Sequence, residues 1–295
     1  MNINHLAIFH AVAQEGGIGR GAERLHISQP AVSKQLQELE RSLGAPLFDR
    51  LPRGVRLTGA GVILADYARR LFALEAEAEE ALADLRGLER GTLAVGASMT
   101  IGSYLLPEVL ARFHRRYPGI VVNLEIANTE EIQQRLLEGA MDLGFTEGFA
   151  EEDDLEATVF AKDAMVVIAP PNHPIRAEVP VSAERLCREP FVVREEGSGT
   201  RAVIARAFEE RGLTIRPAMS LGNIEAIKRA VAAGVGLAVV SSLTIALELE
   251  THRVAVVPVS DLAFTRPLHR FVRRGRHQSR AAKALVAELG GEALL

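Results

Sequence analysis

The sequence predicts a multidomain protein with a small helical domain, one long helix and a two-lobed α/β domain, in that order. Three observations predict this order. Apolar residues recur at helical spacing up to about residue 58, an apolar seam with heptad spacing runs from 59 to 90, and short strands alternate with helices from 91 onward. At 295 residues, the chain is also longer than one ordinary domain.

The composition is that of an ordinary globular protein with a sizeable core. Hydrophobic residues make up 48% of the chain and charged residues 24%. Tryptophan is absent and aromatic residues amount to 5%, so stacking on single-stranded nucleic acid is not favoured. The net charge of −4 argues against a uniformly basic surface but allows a local basic patch.

Cysteine content and the N-terminus predict a reduced, cytoplasmic protein. Cys187 is the only cysteine, so the chain forms no internal disulfide, and a lone cysteine is more often a small buried hydrophobe than a nucleophile. The N-terminus does not show the basic and apolar regions of a signal peptide. No stretch reaches the roughly 18 apolar residues needed to cross a bilayer.

The strongest motif lies between Ala22 and Glu40. A short helix is predicted from about Gly19 to Leu25, followed by a turn at His26–Ile27. A second helix is predicted after Ser28, which is a good N-cap residue, with Pro30 in its first turn. Two helices joined by such a tight turn are typical of a helix-turn-helix.

The polar face of this second helix supplies candidate DNA contacts. It carries Gln29, Ser33, Lys34 and Gln37. Glutamine can read adenine edges, and lysine can reach guanine or phosphate. Polar residues on a surface helix are usually only solvated, but the turn and the basic segment that follows favour contact with DNA.

That basic segment has the character of a wing. Arg50, Arg53 and Arg56 flank a turn at Pro52–Gly54, where arginines can meet phosphates or enter a narrowed minor groove. The first 58 residues contain seven basic and five acidic side chains. The N-terminal domain is therefore net positive within an acidic protein.

The apolar seam of the long helix needs a partner surface. Its members alternate steps of three and four residues: Leu64, Tyr67, Leu71, Leu74, Ala78, Ala81, Leu85 and Leu88. One interpretation is burial against the chain's own core. The stripe stays narrow over about four heptads, which favours a dimerisation helix instead.

The α/β segment carries hydroxyl-rich loops after its predicted strands. The run from Arg194 to Arg201 follows a strand and opens a helix, so its glycines and free N–H groups suit an oxyanion. A capped helix start after a flexible turn is the simpler alternative. Similar loops begin at Ala97, Asn128 and Thr146, and α/β sheets bind ligands at the carboxyl ends of their strands.

The run from Ala22 to Gly61 resembles the winged helix-turn-helix of LysR-type transcriptional regulators. The matching pieces are AERLHISQPAVSKQLQELE, LGAPLFDR and RGVRLTGAG, and the long helix and α/β segment follow in the family's order. The resemblance implies an N-terminal all-α winged helix-turn-helix domain, a linker helix and a two-lobed effector domain like periplasmic binding proteins. We expect these domains at 1–58, 59–90 and 91–295.

The effector domain is expected to consist of lobe I, 91–161 with 268–295, and lobe II, 162–267. The hinge between them is then expected near Ala161–Asp163 and Arg266–Leu268.

The resemblance also implies which residues contact DNA. It places Gln29, Pro30, Ser33 and Lys34 in the major groove and Arg50 and Arg53 in the wing, and Gln37 extends the same face. It implies a homodimer joined through the linker helix, often doubled to a homotetramer. Gly21 departs from the alanine common in the family, and glycine inside a helix costs about 1 kcal/mol, which is expected to loosen that helix.

The family's effector cleft is expected to include a set of hydroxyl-bearing and loop residues. These are Ser98, Thr100, Thr129, Thr146, Ser198, Gly199, Thr200 and Arg201. The REEGSGTR run is most similar to regulators of carbon fixation and sulfur assimilation, which implies a sugar phosphate, phosphoenolpyruvate or a sulfur oxyanion. A basic residue at position 147 would suit a dicarboxylate effector, and the glutamate found there disfavours that class. A dicarboxylate or another organic acid stays the alternative effector. Arg194 and Arg201 are the candidates for positive charge.

Two other classes of protein fit less well. An enzyme is not predicted, because the sequence has no metal-ligand spacing, no G-x-S-x-G element and no Walker motif, and neither a metal nor a cofactor is expected. A cytoplasmic solute-binding protein would explain the α/β segment but not the helix-turn-helix. The expected partners are double-stranded promoter DNA, a small anionic metabolite and a second copy of the chain.

Overall fold

A computed structural model describes residues 2–51, 54–84, 90–147 and 153–290. The chain forms two compact units, Met1–Glu80 and Ala81–Leu295. The elements that begin in the first unit are α1 (Ile3–Glu15), α2 (Ile18–Arg24), α3 (Gln29–Leu43), β1 (Phe48–Arg50), β2 (Val55–Leu57) and α4 (Gly59–Asp84).

The predicted helix-turn-helix is confirmed. Helices α1, α2 and α3 enclose an apolar core in which Phe9, Val12 and Leu39 are fully buried. Ser28 occupies the N-cap position of α3 with extended backbone, although its side chain makes no capping hydrogen bond. The wing predicted beside it is an antiparallel hairpin of the two short strands β1 and β2.

Glycine fixes the wing hairpin against the turn between α1 and α2. Gly16 and Gly54 both have positive φ, 62° and 89°. A Cβ on Gly54 would lie 2.5 Å from the carbonyl oxygen of Gly16, and the amide of Val55 donates to that same oxygen at 3.1 Å. Only glycine allows such a close backbone approach in this conformation.

Helix α4 has two apolar faces with different surroundings. Ala68 is buried, and Leu64 and Phe72 pack against the core of the N-terminal unit. For Leu64, the alternative interpretation of burial against the chain's own core is therefore correct. A second stripe is exposed: Val62, Ile63, Tyr67, Leu71, Leu74 and Leu82. Leu85 and Leu88 of the predicted seam lie outside the described residues.

The second unit is an α/β domain. Its strands are β3 (Gly91–Ala97), β4 (Ile120–Ile126), β5 (Leu143–Glu147), β6 (Leu155–Ala169), β7 (Pro190–Arg194), β8 (Arg216–Leu221), β9 (Ala238–Ser241), β10 (Ala255–Val257) and β11 (Phe264–Arg273). Its helices are α5 (Leu106–Arg116), α6 (Thr129–Leu137), α7 (Ala183–Leu186), α8 (Gly199–Glu209), α9 (Ile224–Ala232), α10 (Ala246–Glu250) and α11 (Arg280–Leu289). A π-helical turn, Ile101–Leu105, precedes α5.

Two long strands connect the lobes of this domain. The main sheet has the order β10-β6-β11-β5-β3-β4, with β9 also paired to β6, while β7 and β8 form a separate parallel pair. Strand β11 lies antiparallel to β6 along its whole length, with Arg266 directly opposite Asp163 and a register shift after Leu268. The strand expected at Met165–Ala169 is the last third of β6.

Each lobe has its own apolar core. In lobe I, the strands β3, β4 and β5 pack with α5, α6 and α11 around Phe113 and Phe145. In lobe II, the strands β7 to β10 pack with α7, α8 and α9 around Phe191, Phe208 and Ile227. Two separate cores joined by two strands are the arrangement expected of a domain with a cleft between its lobes.

Within the parts of the chain that the structure describes, no helix combines the length and apolar character needed to span a bilayer.

Gly21 provides a test of how the N-terminal unit is packed. A looser α2 does not explain why glycine stands at this position. A Cβ there would lie 2.6 Å from Val12 Cγ2 and 3.0 Å from Val12 Cα. Glycine instead permits α1 and α2 to cross closely. We expect Gly21→Ala to destabilise this unit by about 1–3 kcal/mol through overpacking.

Native-state hydrogen exchange of the buried amides of α1 and α3 measures this loss. Gly59→Ala is the matched control, since a Cβ at that helical position meets no atom within 4 Å. It should not destabilise the unit, because alanine is the better helix former. Equal exchange protection in Gly21→Ala and the wild type would contradict the packing argument.

Candidate DNA interface and effector site

Helix α3 buries one face and exposes the face predicted to contact DNA. Val32, Leu36 and Leu39 point into the core. On the other side Gln29, Pro30, Lys34 and Gln37 are exposed, and Ser33 is half-buried. The structure thus gathers all five predicted contacts of this helix on one accessible face.

The start of α3 faces the wing. A groove lined by Gly17, Arg20, Gln29, Leu51 and Gly54 lies between the start of α2, the start of α3 and the hairpin. Helix starts carry free N–H groups and a positive dipole end, which suit phosphate oxygens. The groove and the exposed face of α3 therefore form one candidate DNA interface.

The basic side chains of this interface differ in their surroundings. Lys34 forms no ion pair with any described residue, whereas Arg56 pairs with Asp49 at 3.2 Å in an exposed position that contributes little to stability. Arg50 belongs to β1, but its side chain is outside the described part of the structure, as is the whole of Arg53. The contacts of Arg50 and Arg53 with DNA stay predictions.

In the effector domain, the candidate site is organised by one buried arginine. Arg266 of β11 is 1% exposed. Its Nε and Nη2 donate to Asp163 Oδ2 at 2.8 and 2.7 Å, and its Nη1 donates to Glu147 Oε1 at 2.8 Å. A guanidinium without water must be neutralised and hydrogen-bonded, and these two carboxylates do both.

Glu147 at the end of β5 connects both lobes to this arginine. Its Oε1 accepts from Thr200 Oγ1 of α8 at 2.8 Å as well as from Arg266. Its Oε2 accepts from Ser98 Oγ at the end of β3. The carboxylate is 2% exposed, so three side chains from three elements surround it.

Three further hydroxyls complete the cluster. Thr100 Oγ1 accepts from Arg266 Nη2 at 3.2 Å, and Ser241 Oγ donates to Asp163 Oδ1 at 2.8 Å. Thr129 Oγ1 donates to the carbonyl of Glu147 at 2.9 Å and accepts from the amide of Gly199 at 3.2 Å. The predicted residues Ser98, Thr100, Thr129, Gly199 and Thr200 therefore do come together.

The two lobes are in direct contact at this point. A Cβ on Gly199 would lie 1.6 Å from the carbonyl oxygen of Glu147 and 2.6 Å from Thr129 Oγ1. The amide of Glu130 donates to the carbonyl of Gly197 at 3.3 Å. The start of α8 in lobe II thus rests on the end of β5 and the start of α6 in lobe I.

Other predicted effector residues are placed differently. Thr146 is fully buried, its hydroxyl has no hydrogen-bond partner among the described residues, and strand alternation puts it on the opposite face of β5 from Glu147. Ser198 is the buried N-cap of α8 without a capping bond. Arg201 contacts Glu196 at 3.5 Å and the carbonyl of Arg194, rather than the cluster.

Arg194 was a candidate for positive charge, and the structure gives it another partner. It is buried and forms two hydrogen bonds of 2.7 Å with the neighbouring Glu195. Arg266 supplies the positive charge instead. The sequence places Arg266 only in the expected hinge, and because its strand also contains Arg270 and Arg273, no local pattern singles it out.

The surroundings of Glu147 keep it ionised. Burial raises the pKa of its carboxyl, but the charge of Arg266 and the hydrogen bonds from Ser98 and Thr200 outweigh burial and lower the pKa below its ordinary value. A carboxylate with a lowered pKa stabilises the folded state above its ordinary pKa. That contribution is lost as the pH falls through the lowered value.

A second polar contact joins the lobes at Tyr104, which belongs to no motif recognised in the sequence. Tyr104 OH in lobe I donates to Glu225 Oε1 in lobe II at 2.7 Å. Lys228 Nζ, nearly fully buried, lies 2.7 Å from Glu225, 2.8 Å from Glu248 and 3.4 Å from Tyr104 OH. Burial lowers the pKa of Lys228, but hydrogen bonds to both carboxylates outweigh it, and the pKa is raised.

Among the described residues, no three histidine, cysteine, aspartate or glutamate side chains are grouped so that they could hold a metal ion. Cys187 is half-buried in the lobe II core, and burial raises the pKa of its thiol. A raised pKa keeps the less nucleophilic thiol form, as expected of a packing residue.

Comparison with known families matches both units. Residues 3–62 match the model described as "Bacterial regulatory helix-turn-helix protein, lysR family", and residues 86–293 match "LysR substrate binding domain". The chain is 42% identical over 284 residues to the RuBisCO operon transcriptional regulator of Allochromatium vinosum, covering 96% of this chain and 94% of that protein.

Solved structures agree with the fold. Full-length OxyR from Pseudomonas aeruginosa matches with a TM-score of 0.77 and 25% identity, covering 100% of this chain and 96% of that one. The regulatory domain of Synechocystis PCC6803 CcmR in complex with 2-PG matches with a TM-score of 0.64 and 30% identity, covering 68% of this chain and 96% of that one.

The predicted resemblance, including its carbon-fixation branch, is confirmed, and these relatives are transcriptional regulators and not enzymes. The chain belongs to the LysR family of bacterial transcriptional regulators.

Proposed function

We propose that this regulator docks the exposed face of α3 in the major groove of promoter DNA and responds to a small anionic metabolite held between its two lobes. One observation supports the second part most: hydroxyls from both lobes converge with the buried guanidinium of Arg266 on one carboxylate. That donor set suits an anion. The relatives' control of RuBisCO genes supports carbon-fixation genes as the targets, and the cytoplasm as the site of action.

The DNA-binding part of the proposal rests on the surface of α3. Gln29, Ser33, Lys34 and Gln37 share its accessible face, and the adjoining groove opens toward the wing. Lys34 is exposed, and none of the ion pairs among the described residues involves it, so a phosphate or a guanine edge is its expected partner.

Lys34→Ala tests this docking. We expect roughly tenfold weaker binding to the duplex upstream of the regulated genes, equivalent to about 1.4 kcal/mol. If Lys34 meets a phosphate, the slope of log affinity against log salt also falls by about one. Fluorescence anisotropy at several salt concentrations measures both. Lys283→Ala, an exposed lysine on α11, is the control, and a Lys34 variant that matched this control would remove α3 from the interface.

The exposed stripe of α4 supports the predicted homodimer. Ile63, Tyr67, Leu71 and Leu74 recur at steps of three and four, and Leu74 is 65% exposed in the single chain. A stripe with this spacing fits against a second helix of the same kind. We infer that two copies pair through α4, which sedimentation equilibrium of the full chain can test. Doubling to a tetramer stays a prediction.

The effector part of the proposal concerns an anion with several oxygen atoms. Ser98, Thr100, Thr129, Thr200 and Arg266 offer donors from both lobes, and α8 begins beside them. The relative from Synechocystis was solved with 2-PG, which supports a phosphorylated acid here. Such an effector acts through its different affinity for the two arrangements of the lobes.

Thr200→Ala tests the effector site separately from the DNA interface. A ligand that binds only the folded protein stabilises it by about 2.7 kcal/mol at a hundred times its dissociation constant, so 2-PG should raise the melting temperature of the wild type. We expect the variant to lose most of this rise while its DNA affinity stays unchanged.

The control is Thr251→Ala, whose exposed hydroxyl bonds only within its own lobe, to the carbonyl of Leu247. It should respond to 2-PG as the wild type does. A full thermal response in Thr200→Ala would exclude the start of α8 from the effector site.

A further inference from the structure

The donors of the candidate effector site are already bound to an anion of the chain itself. Ser98 donates to one carboxylate oxygen of Glu147, and Thr200 and Arg266 donate to the other. These three donors belong to lobe I, lobe II and the connecting strand β11. Glu147 therefore makes the set of contacts that an effector bridging the lobes would have to make.

The cluster is also packed too closely to admit a further group. Gly199 touches the carbonyl of Glu147 so closely that no side-chain atom fits between them. Glu147, Asp163 and Arg266 are each at most 2% exposed. An effector cannot reach Arg266 while the carboxylate of Glu147 stays where it is.

Charge leads to the same conclusion. Two carboxyl groups, Glu147 and Asp163, already face the single guanidinium of Arg266. A further anion placed among them would bring like charges together without water, which is strongly unfavourable. The cluster can accept an anionic group from outside only in exchange for one of its own carboxylates. Glu147 is the exchangeable one, because its hydroxyl partners come from both lobes, whereas Asp163 lies directly opposite Arg266 on the paired strand and accepts from both Nε and Nη2.

We propose that the carboxylate of Glu147 is a built-in occupant of the effector site, which an anionic effector must displace in order to bind. The inference rests on the proposed function for the location of the effector. It makes Glu147 a determinant of specificity, because the incoming group has to bind these donors better than a carboxylate does. A phosphoryl group, with three oxygens and up to two charges, meets that condition, whereas a simple carboxylate offers only what Glu147 already provides.

The first experiment removes the occupant and supplies a substitute. Glu147→Ala leaves the donors without their carboxylate, and acetate is the probe that replaces it. We expect acetate to raise the melting temperature of Glu147→Ala by at least about 2 °C, while the wild type does not respond. If the variant does not fold alone, recovery of folding on adding acetate is the same expected result.

Glu125→Ala is the matched control, since Glu125 also pairs with an arginine, Arg135, but on the surface. It should not respond to acetate. Absence of an acetate effect in Glu147→Ala, or an equal effect in the control, would overturn the proposal.

The second experiment asks whether Glu147 competes with an effector. Glu147→Gln keeps the shape of the side chain and removes its charge, so we expect it to bind 2-PG at least about tenfold more tightly than the wild type in calorimetry of the full chain. Glu125→Gln should bind as the wild type does.

The outcomes separate the two proposals. Equal affinity of wild type and Glu147→Gln for 2-PG, with binding still sensitive to Thr200→Ala, would overturn the built-in occupant and leave the effector site in place. Weaker binding in Glu147→Gln would make Glu147 an effector contact and also overturn it. If acetate stabilises Glu147→Ala but 2-PG binds to no variant, Glu147 is still the built-in occupant of the site. Only the proposal of a phosphorylated effector is then rejected.

Discussion

The effector domain depends on how one buried guanidinium is neutralised. Arg266 lies on one of the two strands that connect the lobes, and it has no access to water. Asp163 satisfies it from the neighbouring strand, and Glu147 satisfies it from the end of β5. Removing one partner of such a pair leaves an uncompensated buried charge, which costs about 3–5 kcal/mol. The contact between lobes is therefore coupled to the ionisation of these groups.

This coupling acts through direct hydrogen bonds between the lobes. Thr200 of lobe II donates to Glu147, and the amide of Gly199 donates to Thr129 of lobe I, so the cleft is bridged by the chain's own polar groups. Tyr104 and Lys228 add a second polar contact between the lobes. Under the proposed displacement of Glu147, an anion exchanges one set of hydrogen bonds for a similar set. The net change in free energy is then small, which suits a switch that must work in both directions.

The sequence predicts the order of the elements well, because periodicity and capping are local properties. The helix-turn-helix around Ser28 and Pro30, the long helix after Gly59 and most strands of the α/β domain follow from them. Ser98, Thr100, Thr129 and Thr200 could also be proposed as neighbours, since the carboxyl ends of parallel strands meet at one edge of a sheet. Local pattern carries less information about partners. Arg266, for example, reaches Glu147 across 119 positions of the chain.

The central claim is that Glu147 and Arg266 are energetically coupled across the contact between the lobes. A double-mutant cycle with Glu147→Gln and Arg266→Gln, measured as the free energy of unfolding of the full chain, tests this most directly. The structure predicts that the two substitutions are strongly non-additive, with a coupling free energy of about 2 kcal/mol or more. Effects that add to within about 0.5 kcal/mol would contradict the claim.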